Sequence, residues 1–234
     1  MKIEVWSDYV CPFCYIGKRQ LERAIKNLGY EGQVDVEFKS FLLDPATPID
    51  TEELVYTSLA RKYKMSEQEV KNMTRNVASR AKEVDLDYNF DNMKTANTTV
   101  AHRLAKLAAI QGKAEMYNER LMKAYFLEGE AIGRRDVLER LAQEIELDME
   151  AVGRVLKGNE YEEAVEKDMY EARQIGVRGV PFFVFNNKYG LSGAQPQSVF
   201  EQMMEQIASE VGLKKRVNPM NQERDVCSNG YCEI

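Results

Sequence analysis

"DYVCPFCYIGKRQLERAI", Asp8 to Ile25, sets two cysteines three positions apart where the sequence turns helical. Cys14, Gly17, Leu21, Ala24 and Leu28 recur at helical spacing on one stripe, which predicts a helix that starts inside the Cys-Pro-Phe-Cys turn and buries the Cys14 side. Ahead of it, Ile3 and Val5 alternate with Lys2 and Glu4, as in a strand. After it, "VDVEFKSFLL" (Val34 to Leu43) is a second strand rich in Val and Phe. Strand, cysteine turn, helix and strand make a β-α-β unit of about forty residues.

A thiol attacks a disulfide only as the thiolate. A helix N-terminus favours that anion through its unpaired N–H groups and its macrodipole. Cys11 stands at the helix mouth, one turn before Cys14, and this reading makes it the water-exposed nucleophile. Cys14, facing inward, becomes the resolving thiol that releases a mixed disulfide. Pro12 falls near the first helical position, where its fixed φ suits the turn. Pro12 and Phe13, between the two sulfurs, are expected to meet the substrate. The spacing leaves a second reading open, because C-x-x-C also builds zinc knuckles, and with Cys227 and Cys232 the chain has four candidate thiolate ligands. An amphipathic helix following directly, rather than a tight hairpin, favours dithiol redox chemistry.

Beyond the second strand, Pro45 and Pro48 break regular structure, and from Asp50 to about Ile175 the apolar period is helical. Asp50 with Glu53, and Ser66 with Glu69, read as capping boxes. Stripes run through Val70, Met73, Val77, Ala81 and Val84, through Val100, Leu104, Leu107 and Ala108, and through Tyr117, Leu121, Ala124 and Tyr125. Val137, Leu138, Leu141 and Ile145 form another, and Tyr161, Val165, Met169, Ala172 and Ile175 the last. All read as core. Strand character returns in "VPFFVFNN", Val180 to Asn187, and Pro196 opens a final helix to about Val211. A proline opening an apolar strand suits either a cis peptide or an ordinary trans proline at a sheet edge. In the cis case the backbone polar groups of Val180 stay free to align an extended polypeptide beside Cys11.

The chain has 234 residues and a net charge of −6 with both signs interspersed, which argues against nucleic acid or an anionic membrane as partner. No apolar run approaches the roughly 20 residues of a membrane span. The first residues lack an apolar core followed by a small-residue cleavage site, so a cytoplasmic protein is expected. In such a reducing compartment, close cysteine pairs are metal-binding or redox-active rather than structural.

Four stretches carry a family resemblance: "WSDYVCPFCYIGK" (Trp6 to Lys18), "NTTVAHRLAKLAAIQG" (Asn97 to Gly112), "AYFLEGEAIGRRDVLERLAQE" (Ala124 to Glu144) and "GVRGVPFFVF" (Gly176 to Phe185). Together they resemble the DsbA branch of thioredoxin-fold proteins, and within it the FrnE-like group, over Met1 to about Val211. The resemblance implies an α/β thioredoxin fold interrupted by a helical insertion, with a C-terminal tail. Residues 1–44 and 158–212 would form the two halves of the thioredoxin-like domain, 45–157 the insertion, and 213–234 the tail. It further implies a dithiol–disulfide oxidoreductase or isomerase acting on protein or peptide disulfides. Cys11 would attack, Cys14 would be its partner, and Val180-Pro181 would be the cis-proline site. No cofactor or metal is implied, and the reducing partner would be a thiol system such as thioredoxin or glutathione. The same superfamily holds 2-hydroxychromene-2-carboxylate isomerases and kappa-class glutathione transferases. These typically carry Ser at the position of Cys11 and bind glutathione, so a glutathione-dependent small-molecule isomerase or transferase stands as the alternative.

Two features remain. "CSNGYC" brackets the turn-forming Asn229-Gly230 with Cys227 and Cys232, close enough for a disulfide. Some FrnE-like proteins carry such a C-terminal pair, which leans toward a redox relay with Cys11 and Cys14 over a metal site. His102, the single histidine, either faces the active-site groove or packs at the domain junction; it is not placed in the catalytic set.

Overall fold

The computed structural model describes residues 1–49 and 51–213. In chain order these form β1 (Lys2–Ser7), α1 (Pro12–Asn27), β2 (Asp35–Ser40), α2 (Val55–Tyr63), α3 (Glu67–Lys82), α4 (Thr99–Ile110) and α5 (Ala114–Phe126). Then come α6 (Arg135–Glu144), α7 (Met149–Lys157), α8 (Glu162–Gln174), β3 (Phe182–Phe185), β4 (Tyr189–Ser192) and α9 (Gln197–Val211). The strands lie in the order β2-β1-β3-β4. β1 runs parallel to β2, setting Val5 beside Phe38, and antiparallel to β3, setting Val5 beside Phe183; β3 and β4 form an antiparallel hairpin.

Strand alternation sends β1 side chains to two different cores. Ile3 and Val5 enter an apolar layer with Leu21 and Ala24 of α1, Phe183 and Phe185 of β3, and Phe200 and Met204 of α9. Phe183 and Phe200 meet edge to face at 4.9 Å, and full burial of each such ring contributes about 2–3 kcal/mol. Trp6 points the other way, against Ala172 of α8 and Val177, and its indole N–H donates to the Asp168 carbonyl at 3.0 Å. Helices α2 to α7 enclose a separate core that includes Leu104, Tyr117, Leu121, Phe126, Leu138 and Val152. The fold is thus an α/β thioredoxin fold with helices inserted after β2.

Three expectations need correcting. The helical block does not open on an Asp50–Glu53 cap: α2 starts at Val55 behind Leu54, which makes no side-chain cap bond, and Glu53 instead binds Arg61 at 2.6 Å. Asp50 lies outside the described residues. The Ser66–Glu69 box is present at the head of α3. In α8 the buried face is Val165, Asp168 and Ala172, while Ile175 is 50% exposed. A charge therefore occupies a core seat that periodicity assigns to apolar residues. Finally, the second strand stops at Ser40 rather than Leu43, because the chain leaves the sheet to bind the cysteine turn: the Leu43 N–H donates to Asp8 Oδ2 at 2.8 Å.

Candidate active site

The cysteine turn follows from how β1 ends. Cys11 is the N-cap of α1, with extended φ −88° and ψ 110°, and Pro12 takes the first helical position. The Cys11 N–H donates to the Asp8 carbonyl at 3.1 Å and the Cys14 N–H to the Cys11 carbonyl at 3.0 Å, which closes the turn. From the insertion, the Tyr88 hydroxyl donates to the Pro12 carbonyl at 2.7 Å, and its ring stacks 4.7 Å from Phe126. The Arg80 guanidinium lies 5.2 Å over the Phe13 ring and donates at 2.9 Å to the Ala194 carbonyl. Three segments distant in sequence thus hold the two residues between the cysteines.

Gly17 explains how closely the other side approaches. A Cβ built there would stand 3.0 Å from Phe183 Cζ and 3.1 Å from Pro181 Cγ. A glycine inside a helix costs about 1 kcal/mol relative to alanine, and here it admits the start of β3 against α1. The Val180–Pro181 peptide is cis. The Cys11 thiol donates to the Val180 carbonyl, with sulfur and oxygen 3.4 Å apart. Cys11, Cys14, Pro12, Val180 and Pro181 therefore share one locus, with Phe13 on its rim.

Cys11 differs from its expected exposure: the residue is only 5% exposed, against 2% for Cys14. Its sulfur rests against Val180 rather than projecting into water, so the Val180 carbonyl is engaged and not free. Both cysteines are reduced. Burial pushes the Cys14 thiol well above its ordinary value, and the neighbouring Cys11 sulfur adds to the rise. The Ser7 hydroxyl and the Asp8 backbone N–H act in the opposite sense.

Behind the turn, the Asp8 carboxylate is sealed in. Its Oδ1 lies 3.3 Å from His102 Nε2, and the His102 ring sits 4.7 Å from that of Tyr9. His102 is 3% exposed and occupies the junction between β1 and the insertion. It lines, with Ser7, Tyr9 and Asn118, a 490 Å³ cavity against the outer side of β2. The tail pair, Cys227 and Cys232, lies outside the described residues. Among the described residues no group of three or more His, Cys, Asp or Glu side chains is gathered as a metal site.

A charged cluster ties α1 to α5. Lys18, 3% exposed, pairs with Glu22 and at 2.7 Å with Glu119, which also takes the Tyr15 hydroxyl at 2.6 Å and pairs with Arg19. Burial would lift the Glu119 carboxyl, but Lys18, Tyr15 and Arg19 outweigh it and hold it below the usual carboxylate value. A depressed carboxyl contributes stability that is present above its unfolded value and lost as pH falls through its folded one. The α1–α5 contact should therefore loosen on acidification below about pH 4. Hydrogen exchange in α1, followed against pH, checks this: Glu119→Gln should exchange faster at neutral pH and show a flatter acid response.

Serine 7, Asp8, Tyr88 and Arg80 are site residues that sequence spacing did not single out. Asp8 had a weak signal, a carboxylate directly after an apolar strand. Tyr88 and Arg80 had none, since they arrive from the insertion more than sixty positions downstream.

The model of the "DSBA-like thioredoxin domain" family matches residues 2–205. The chain belongs to the DsbA-like thioredoxin-domain family. At the level of class this DsbA-like protein is a thiol–disulfide oxidoreductase. A curated relative, the protein YwbO of Bacillus subtilis strain 168, is 30% identical over 201 residues, covering 85% of this chain and 93% of YwbO. A crystal structure described as a "probable DsbA oxidoreductase" from Streptomyces coelicolor is 34% identical with a TM-score of 0.84, and the match covers 93% of each chain. The structure of a 2-hydroxychromene-2-carboxylate isomerase shares the fold at a TM-score of 0.66 with 13% identity, over 92% of this chain and all of that one. Among the described residues of the DsbA-like protein, no helix is long and apolar enough to cross a membrane.

Proposed function

We propose that this DsbA-like protein exchanges disulfides with protein or peptide substrates through Cys11 and Cys14. The observation that supports the reading is the contact between the Cys11 sulfur and the Val180 carbonyl: an extended substrate chain that displaced the thiol from that carbonyl would lie beside the attacking sulfur. Cys11, as thiolate, attacks a substrate sulfur; a new S–S bond forms to Cys11 and the substrate's other sulfur leaves with the electron pair. Cys14 then attacks Cys11, forming the intramolecular disulfide and releasing the second substrate thiol. A dithiol protein or glutathione returns the pair to the reduced state. The chain requires no organic cofactor or metal in this scheme, and it suits a reducing compartment such as the cytoplasm.

The tail pair extends the scheme as a relay. Cys227 and Cys232, as a dithiol, would reduce the Cys11–Cys14 disulfide by the same exchange and become the disulfide themselves. The FrnE-like resemblance and the four-residue spacing support this assignment.

Reduction of a disulfide-linked model protein, followed with the full chain and with a chain ending before Cys227, tests both statements. Turnover by the full chain that needs both Cys11 and Cys14 is the expected result, with slower recycling in the shortened chain. Activity that survives Cys14→Ser and is blocked by glutathione analogues would instead favour the small-molecule isomerase or transferase reading.

A further inference from the structure

The chemistry of Cys14 poses a problem that the exchange scheme leaves open. Its sulfur is the second nucleophile, yet it sits 2% exposed in apolar surroundings that disfavour an anion. Something must receive that charge during resolution, and water does not reach it.

Ser7, the last residue of β1, provides the geometry for an answer. Its hydroxyl is sealed from solvent and makes no hydrogen bond among the described residues. Buried hydroxyls are nearly always paired, so an orphaned one calls for a reason. Strand register fixes where it points: Ile3, Val5 and Ser7 share the face of β1 that packs on α1, and Cys14 occupies the first inward position of that helix. From that face the Ser7 hydroxyl favours the Cys14 thiolate, as does the Asp8 backbone N–H on the same turn.

We infer that Ser7 Oγ–H and the Asp8 backbone N–H form a two-donor cradle reserved for the Cys14 thiolate, empty of charge in the dithiol state and filled during resolution of the mixed disulfide. The inference rests on the proposed disulfide exchange and assigns its second step. In that step Cys14 gives its proton to the departing substrate sulfur. The electron pair left on Cys14 forms the bond to Cys11, and the Cys11–substrate S–S bond breaks with its pair going to the leaving sulfur. Ser7 neither gains nor loses a proton; it donates a hydrogen bond while the charge is on Cys14. The orphan hydroxyl of the resting state is the cost of having that donor in place.

The titratable groups around Cys14 are Cys11 and Asp8 of the turn, Tyr88 of the loop after α3 and, beyond Asp8, His102 of α4 and Tyr125 of α5. The Asp8 carboxylate is already turned to His102 and to the Leu43 N–H, and the Tyr88 hydroxyl to the Pro12 carbonyl, which leaves Ser7 as the side-chain donor facing the sulfur.

The test uses the full chain with Cys227→Ser and Cys232→Ser, mixed with dithiobis(nitrobenzoate) in a stopped-flow instrument. Attack by Cys11 releases one nitrothiolate and resolution by Cys14 releases the second, so the two steps appear as two absorbance phases; Cys14→Ser should erase the second. Ser7→Ala is expected to leave the first phase unchanged, slow the second about 10- to 100-fold, and move its pH midpoint upward. Ser7→Thr, which keeps the hydroxyl, should restore the second phase. Ser7→Ala also removes an unpaired buried hydroxyl, so the thermal stability of the reduced protein should not fall. Two phases with the second unaltered in Ser7→Ala, or not restored by Ser7→Thr, would overturn the cradle while leaving the exchange intact. Absence of the first phase in the parent chain would overturn the exchange reading itself.

Discussion

Cys11→Ser is expected to lower disulfide exchange by roughly 10³-fold or more, and Cys14→Ser to stop the protein as a covalent adduct with its substrate. The two outcomes differ because the sulfurs differ in place. Cys11 caps α1 at the open end of the turn with its sulfur on the Val180 carbonyl. Cys14 lies one turn inside, held protonated by burial. A serine hydroxyl at position 11 has no thiolate character, and Cys14 cannot replace it from the interior. With Cys11 intact and Cys14 absent, the first attack proceeds but nothing displaces the substrate. Mass spectrometry of the protein trapped in acid after mixing with a disulfide peptide reads this directly. An adduct should appear on Cys11 in Cys14→Ser and none on Cys14 in Cys11→Ser. Brief alkylation of the reduced protein should likewise label Cys11 first. An adduct found first on Cys14 would reverse the assignment of roles.

The largest effect on stability is expected at Asp168. Its side chain is 5% exposed, accepts from the Ser40 N–H at 2.6 Å, pairs with Lys106, and lies 3.7 Å from the Lys39 ammonium. Its carbonyl also takes the Trp6 indole. One carboxylate thus joins β2, α4 and α8 behind the sheet. Asp168→Ala would leave two lysines and a backbone donor in a largely dry site. Breaking a buried ion pair from one side costs about 3–5 kcal/mol. In a chain of this size that corresponds to a melting temperature lower by about 6–20 °C. Because both lysines keep some access to water, the lower end of that range applies. Asp168→Asn, which retains an acceptor for Ser40, should lose less. Urea denaturation of the three proteins decides it; a variant as stable as the parent would show that the lysines find water or Glu171 instead.

Much of this fold can be read from local pattern. Alternation in β1, the inward stripe of α1, the Ser66–Glu69 box and the proline-led strand at Val180 each depend on neighbours a few residues away, and each lies within a few residues of its expected position. The residues that complete the site follow another rule. Tyr88, Arg80 and Ala194 come to the cysteine turn through packing between segments, and no short-range period encodes that. The buried face of α8 fails for a related reason: Asp168 earns a core position only because Ser40, Lys39 and Lys106 converge on it. Cys11 is drier than a helix cap usually is, because the segment leading into β3 covers it.

The two ends of α1 belong to different interiors. Cys14, Tyr15 and Ile16 pack with the inserted helices, whereas Leu21, Ala24 and Leu28 pack with the sheet and α9. A hybrid that exchanges only the inserted block between relatives would therefore graft half of a mated surface and leave the other half behind. The natural splice point runs through the middle of the cysteine-bearing helix, near Gly17, so recombination that respects contacts must move the redox turn together with the block that covers it.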